Sequence, residues 1–304
     1  MTEAIYLEVA GKAEASRKSG RRVSVSGMLK FLGVSRSGYH AWLKHAPSDT
    51  KKRKKDIKAK IQDIYEESRQ NYGAPKITRQ LRKSGEIISE RTVGKYMREM
   101  GLKAQWVKPW TITTKDSDFS NELENILDEQ FNPERPNAVW CSDITYIWTI
   151  DGFVYLTSIM DLFSRKIIAW TLSNTLEASC VIETIKKAKA RRSTELPLII
   201  HSDRGSQYVS KSYKEATAKM ERSYSKKAFP WDNACIESFH SLIKREWLNR
   251  FRIRDYKQAY RLVFEYLEAF YNTKRIHSHC DYMSPNDFEK LYEQSQDGHL
   301  LLAS

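Results

Sequence analysis

The sequence predicts two kinds of structure: an all-α region in the N-terminal third, followed by an α/β domain built on a mixed five-stranded sheet. Apolar residues recur at helical spacing within residues 24–100, whereas three runs rich in β-branched and aromatic residues lie within residues 138–172. Charge divides the chain in the same way. Residues 1–115 hold 26 Lys and Arg against 11 Asp and Glu, and residues 116–304 hold 25 against 27. The helical region is therefore predicted to bind a polyanion.

Residues 1–55 are predicted to hold a helix-turn-helix-like pair and a basic linker. A short helix runs from Ser24 to Leu32, Gly33 breaks it, and Ser35 is a suitable N-cap for the next helix. A block of five consecutive Lys and Arg residues follows at 51–55. It is either a solvated linker or a phosphate-binding segment, and the two interpretations are compatible.

Residues 56–115 are predicted to form a second helix-turn-helix module. An amphipathic helix covers 57–65, a second helix ends at Leu81, and Ser89 caps a third helix that reaches Met100. Basic residues on the third helix lie opposite its apolar positions, so they are candidates for contacts with a DNA groove or with phosphates. The alternative is an ordinary solvated face. These candidates are Arg91, Lys95 and Arg98.

Residues 116–135 are predicted to be an acidic linker. Residues 116–134 hold seven acids and no basic residue, and a short helix is expected from Glu122 to Gln130. At the other end of the chain, residues 291–304 are expected to form a C-terminal tail.

Residues 136–290 are predicted to form the α/β domain. Asp151-Gly152, between the first two strands, is typical of a hairpin turn. Three antiparallel strands followed by alternating helices and strands is the order of a ribonuclease-H-like mixed sheet, in which the strands bearing Asp143 and Asp203 are parallel neighbours. The predicted elements are strands over 138–149, 153–160, 166–172 and 198–203 and a crossover helix over 177–191.

Three acidic residues lie at positions that indicate a specific role for the carboxylate. Asp143 interrupts an apolar strand, Asp203 ends a strand buried on both faces, and Glu237 opens a helix that runs to about residue 250. Each also has an ordinary interpretation: a backbone amide satisfies Asp143, Asp203 caps a turn, and the helix dipole favours Glu237. The combination of all three favours a catalytic site.

The residues around these acids resemble the catalytic motifs of transposases in the DDE retroviral-integrase superfamily. The match is closest to the second-frame (OrfB-type) product of small two-frame bacterial insertion sequences. The separations of 34 residues from Asp203 to Glu237 and of 7 from Glu237 to Lys244 fit that group. The segment between Asp203 and Glu237 is slightly shorter than is usual in the group. The matching segments are Asp143, His201 to Tyr208 (HSDRGSQY) and Trp231 to Phe239 (WDNACIESF) with Lys244.

The resemblance extends from about Val23 to Phe288. Downstream, YNTKRIH and YMSP look like the C-terminal signature, with two departures: Ile276 stands where proline is common, and Cys280-Asp281 where leucine and glycine are usual. Upstream, NYGAPKI at 71–77 and the segment 91–102 look like the DNA-binding module of the same proteins.

The resemblance implies a site for two divalent cations. Phosphodiester transfer places charge on nonbridging, attacking and leaving oxygens, and hard cations with oxygen ligands stabilise that charge. Mg²⁺ suits such a site and Mn²⁺ can substitute, whereas Zn²⁺ favours nitrogen and sulfur ligands. By resemblance, Asp143 bridges both ions, and Asp203 and Glu237 each complete one side.

Lys244 lies two helical turns beyond Glu237 and is expected to hold a phosphate of the transposon end; the alternative is a solvated lysine. Other residues beside the acids are expected to orient the site or to contact DNA. They are His201, Ser206, Gln207 and Asn233.

The resemblance also implies the partners. They are double-stranded DNA, as the terminal inverted repeats of the insertion sequence and as target, further copies of the chain on that DNA, and an upstream-frame product joined by ribosomal frameshifting. The expected location is the bacterial cytoplasm, with access to the nucleoid.

Other classes fit less well. The four cysteines include no C-x-x-C pair, so neither a zinc knuckle nor a disulfide framework is indicated, and His277, His279 and Cys280 are better interpreted as structural or DNA-contacting than as metal ligands. No apolar run is long enough for a membrane span, and residues 1–22 are too charged for a signal peptide. A nuclease without joining activity would lack the helix-turn-helix modules, and a regulator derived from an inactive transposase would lack an acid.

Overall fold

The computed structural model describes residues 2–20, 22–44, 48–105, 123–192, 197–226 and 230–302. The chain divides into two compact units, Met1–Lys60 and Ile61–Ser304. The finer division into five segments stays a prediction, and the first part of the acidic segment, residues 116–122, lies outside the described residues.

The first unit is helical. Helix α1 covers Thr2–Lys18, α2 covers Val25–Phe31 and α3 covers Arg36–Lys44. Ser24, predicted to be the first residue of this helix, caps α2 instead, since its Oγ accepts a hydrogen bond of 3.1 Å from Gly27 N, and Gly33 has a φ of 66° that breaks the helix there. A small apolar core holds the helices together. Its buried members are Tyr6, Val9, Leu29 and Tyr39.

Three more helices follow. They are α4 (Asp49–Glu67), α5 (Ala74–Lys83) and α6 (Glu90–Glu99). The basic block at 51–55 is helical and lies within α4, because Lys and Arg are good helix formers and no Gly or Pro interrupts them. Ser89 caps α6 as predicted: its Oγ accepts a bond of 3.2 Å from Thr92 N.

The expected helix at 122–130 is wrong for the described residues 123–130, which form turns. Tertiary partners explain the difference. Glu124 O accepts a hydrogen bond from Tyr224 N, Leu127 N donates to Ser223 Oγ, and the Leu127 side chain is buried in the core. The backbone of this segment therefore forms hydrogen bonds with Ser223 and Tyr224 instead of the internal hydrogen bonds of a helix.

The second unit contains the predicted mixed five-stranded sheet in the order β3-β2-β1-β4-β5. β1 and β2, and β2 and β3, are antiparallel, whereas β4 is parallel to both β1 and β5. The ribonuclease-H-like fold is thereby confirmed. The strands are β1 (Val139–Thr149), β2 (Gly152–Asp161), β3 (Lys166–Ser173), β4 (Ile199–Ser202) and β5 (Glu221–Tyr224).

Helices cover both faces of this sheet. One face packs on the crossover helix α7 (Ala178–Arg191), α8 (Ser206–Val209) and α9 (Lys211–Ala216). The other packs on α10 (Ala234–Glu246) and α11 (Tyr256–Tyr266), and α12 (Pro285–Leu302) ends the described chain. In the described residues, none of the helices is both long enough and apolar enough to cross a membrane.

Candidate active site

The parallel pairing of β1 with β4 brings the two aspartates together. Its last pair is Ser142 with Ser202. Asp143 is the next residue within β1, and Asp203 directly follows the end of β4, so the two aspartates lie on neighbouring strands at the point where this pairing ends. The carboxyl ends of parallel strands are where open α/β sheets bind ligands.

The carboxylate of Asp203 is held at this edge by a turn. Gly205 N donates a 2.9 Å hydrogen bond to Asp203 Oδ1. A Cβ at position 205 would lie only 3.0 Å from that oxygen, so glycine leaves room for the carboxylate. Burial, and next the negative charge of Asp143, raise the pKa of Asp203 to about 6, although the Gly205 amide opposes the rise.

Glu237 reaches the same site from the first turn of α10. Partial burial, and next the charges of Asp143 and Asp203, raise the pKa of Glu237 to about 6. Each acid therefore lies in the electrostatic field of the other two. Glu237 itself is exposed, which leaves its side chain accessible to a ligand.

His240 is a component of the site that the sequence analysis missed. Its Nδ1 donates a 3.2 Å hydrogen bond to Asp143 Oδ2, and its Nε2 lies 3.4 Å from Ser158 Oγ on β2. Its side chain is buried. Because Asp143 and Ser158 are register partners, His240 joins α10 to one cross-strand pair. The spacing of three residues from Glu237, on the same helix face, is the one sequence signal that could have indicated it.

Lys244 lies on the same face of α10, one turn beyond His240. Its Nζ is 4.4 Å from the centroid of the Tyr146 ring, a cation–π contact with β1. Burial lowers the pKa of Lys244, and the charge of Asp143 partly offsets this. The ammonium therefore lies within the field of the acids.

The acids do not form a closed set of ligands. Within the described residues, no three His, Cys, Asp or Glu side chains converge closely enough to hold one ion. Like charges repel, and two of the carboxylates are occupied by His240 and by the Gly205 amide.

Three other predicted residues have different environments. His201 is fully buried, and its ring nitrogens lie 2.9 Å from Ser223 Oγ and 3.1 Å from Ser225 Oγ. It has no exposed surface for DNA, in contrast to the prediction, because the adjacent strand β5 supplies its partners. Gln207 donates to Leu176 O at 3.1 Å, and Asn233 is buried at the start of α10.

Arg91, Lys95 and Arg98 are exposed on α6, opposite the buried Val93 and Met97. Their outward orientation agrees with the sequence pattern. Their contact with DNA stays a prediction.

Comparison with known proteins identifies the family. Residues 51–110 match an HTH-like domain family, and residues 133–227 and 218–285 match two families described as Integrase core domain. The chain is 36% identical over 246 residues to the transposase for insertion sequence element IS904 of Lactococcus lactis, covering 80% of this chain and 97% of that protein. The chain belongs to this family of insertion-sequence transposases. The family, the integrase-type core and the function in transposition predicted from the sequence are thereby confirmed.

Other relatives agree. Transposase InsF for insertion sequence IS3A of Escherichia coli is 33% identical over 272 residues, covering 88% of this chain and 94% of that protein. Among solved structures, the HTLV-2 integrase catalytic core domain in complex with magnesium aligns with a TM-score of 0.39 and 16% identity, over 51% of this chain and 98% of that chain.

Proposed function

We propose that Asp143, Asp203 and Glu237 are the catalytic acids of this transposase, which nicks DNA at the end of its element and transfers the freed 3′-hydroxyl to another phosphodiester. The proposal is supported above all by one observation. Asp143 lies within β1 and Asp203 lies directly after β4, each one residue past the last pair of these parallel strands, and α10 brings Glu237 into their electrostatic field.

The donor set suits hard divalent cations. The three acids offer only oxygen ligands, and burial together with the neighbouring negative charges raises the pKa values of Asp203 and Glu237, an effect that a bound cation would oppose. We propose two Mg²⁺ ions, with Mn²⁺ as a substitute. Asp143 would bridge them, and Asp203 and Glu237 would each bind one. When bound, such ions polarise the phosphoryl group and stabilise charge on the attacking and leaving oxygens.

The chain's own side chains then orient the reactants. His240 donates to Asp143 Oδ2 and Ile144 N donates a 2.8 Å hydrogen bond to Asp143 Oδ1, so both oxygens are oriented, while Ser158 positions the imidazole. Lys244 offers its ammonium to a phosphate of the element end, in a place where the carboxylates alone would repel DNA. Tyr146 limits the positions that this ammonium can adopt.

DNA binding is assigned to the basic part of the chain. Arg91, Lys95 and Arg98 present three positive charges on one face of α6, which would contact phosphates or a groove of the terminal repeats. Gln207, which is partly exposed, would contact the DNA strand at the acids, whereas the buried Asn233 would act by positioning the start of α10. We further propose that the chain acts on double-stranded terminal repeats and target DNA as a homo-oligomer, joined to an upstream-frame product by frameshifting, in the cytoplasm and on the nucleoid.

The test removes each carboxylate charge and keeps the side-chain volume. Asp143→Asn, Asp203→Asn and Glu237→Gln should each lower strand cleavage by roughly three orders of magnitude, about 4 kcal/mol of transition-state stabilisation. DNA affinity in a gel-shift titration should change little. Asp151→Asn, in the exposed hairpin turn, is the matched control and should cleave normally. Strand transfer at the wild-type rate in any of the three variants would remove that acid from the site.

A further inference from the structure

A basic cleft lies in the second unit, between α5 and the first half of α10. Its volume is about 440 Å³. None of the described residues that line it is Asp or Glu. Its polar lining consists mainly of Lys76, Arg165, Ser238, Arg275, His277 and His279.

Two lining cations, Lys76 and Arg165, form no ion pair with a carboxylate of the described residues, and Arg165 donates to oxygens of Phe131, Leu162 and Asn132 instead. The Lys76 Nζ lies 4.9 Å from the centroid of the Tyr72 ring, and no carboxylate among the described residues is within ion-pair distance of it. Burial, and next the charge of Arg275, lower the pKa of Lys76 to about 8. Arg275, by contrast, is neutralised by Glu246 through two bonds of 2.8 and 2.7 Å. A partly desolvated ammonium without an anion is unfavourable, so the cleft favours an anionic ligand.

Helix dipoles add to this preference. Lys76 is the third residue of α5, in the first turn, where a helix favours negative charge and disfavours a cation. Ala234 and Cys235 open α10 and line the same cleft. The positive ends of two helices therefore border the space that the cations surround.

The neutral groups in the cleft are compatible with an anion. Arg275 Nη1 lies 3.2 Å from His277 Nε2, and because the guanidinium can only donate, the imidazole accepts. Ser238 is exposed on α10, one residue after Glu237, and its hydroxyl is a further donor.

We propose that this cleft binds a backbone phosphate of DNA, with Lys76 as its principal contact. The inference rests on the proposed function. Lys76 belongs to the segment that matches the HTH-like family, and five lining residues between Ala234 and Leu242 belong to the helix that carries Glu237. A DNA strand held by that segment and delivered to the acids would cross this cleft. The phosphate contact would then fix the distance between the bound sequence and the cleaved bond.

The experiment uses the full chain and a duplex that carries the element end. Lys76→Met should weaken binding roughly tenfold and lower the slope of log affinity against log salt by about one. Lys76→Arg should restore both values, since it keeps the charge. Lys83→Met, on the exposed last turn of the same helix, is the matched control and should stay near wild type. An equal loss in Lys83→Met would reduce the effect to net charge and overturn the proposal.

A second measurement does not depend on the folding of a variant. Wild-type lysines are acetylated with an amine-reactive reagent and quantified by mass spectrometry, with and without the duplex. DNA should protect Lys76 several-fold. Inorganic phosphate at the same phosphate concentration should protect it little; equal protection by phosphate would overturn the assignment to DNA, as would unchanged labelling of Lys76.

Cleavage of the same duplex by the wild type with Mg²⁺ tests the proposed function separately. Protection of Lys76 without cleavage would support the cleft and count against the proposed function. Cleavage without protection would support the function and overturn the cleft.

Discussion

The two ends of α10 place a glutamate in opposite environments. At its start, Glu237 faces two aspartates, and its pKa is raised to about 6. Near its end, Glu246 is buried but forms two hydrogen bonds with Arg275 and accepts a third of 2.7 Å from Tyr266 OH, and these partners lower its pKa despite burial. Glu246 has its cation within the fold, whereas no cation pairs with Glu237 in the part of the chain that the structure describes. A missing internal counter-charge, rather than burial, therefore distinguishes the candidate catalytic glutamate from the structural one.

The largest expected difference between the two ends is in stability. Glu246→Gln should lower the free energy of unfolding by about 3–5 kcal/mol, because it leaves the buried Arg275 without its partner. Glu237→Gln should leave it unchanged or raise it slightly, because it relieves like-charge repulsion. Urea denaturation of both variants measures this.

Glu265→Gln is the control for that comparison. Glu265 forms an exposed pair with Arg261 at 3.9 Å on α11, so its loss should cost less than about 0.5 kcal/mol. If Glu246→Gln were as stable as this control, the contrast between the two ends of α10 would disappear.

Variants of His240 test how the start of α10 supports the candidate catalytic acids. His240→Leu removes the bond to Asp143 and should lower cleavage about 10- to 100-fold, as loss of a ligand-orienting partner does in metal sites. It should also reduce the thermal stabilisation by Mn²⁺, measured by calorimetry. His240→Asn keeps a donor and should recover part of both. An unchanged response to Mn²⁺ in His240→Leu would assign His240 to packing alone.

Variants of Lys244 test whether strand transfer also requires a cation beside the acids at the start of α10. Lys244→Ala should reduce strand transfer by one to two orders of magnitude, the ~1–3 kcal/mol of a lost charged hydrogen bond. Lys244→Arg should recover much of it. The melting temperature should change little. Equal rates and affinities on a pre-bound terminal oligonucleotide would show that Lys244 is a solvated residue.

The smallest effect is on pH dependence. The pKa of Asp203 rises from 3.8 in the unfolded chain to about 6, so the folded state binds more protons between these values and the ion-free protein loses stability as pH rises through them. Glu246 behaves oppositely: its pKa is lowered, so its contribution is lost as pH falls below 4.5. Asp203→Asn should therefore exceed the wild type by on the order of 1 kcal/mol at pH 7 and match it near pH 4. An advantage that did not vary with pH would contradict the charge explanation.

Local patterns were sufficient for much of this molecule. The order of strands and helices from residue 138 onward, the cap at Ser89 and the outward face of α6 all follow from periodicity and from residue type at helix ends. Asp143 was identifiable because a carboxylate in an apolar strand is unfavourable without a partner, and Asp203 and Glu237 because one ends a buried strand and the other opens a helix. Each of these signals is contained within a few neighbouring residues.

The tertiary structure determines which groups each side chain contacts. His240 and Asp143 are 97 residues apart, and the register of β1 with β2 and the position of α10 bring them into contact. His201 has a catalytic-motif position in sequence but is buried because β5 supplies serines to both its nitrogens. Lys76 belongs to a predicted DNA-binding segment, yet only the packing of α5 near α10 places its ammonium in a cleft that no Asp or Glu of the described residues lines. Local sequence specifies a residue's backbone and face, but its charge environment depends on elements that only folding brings together.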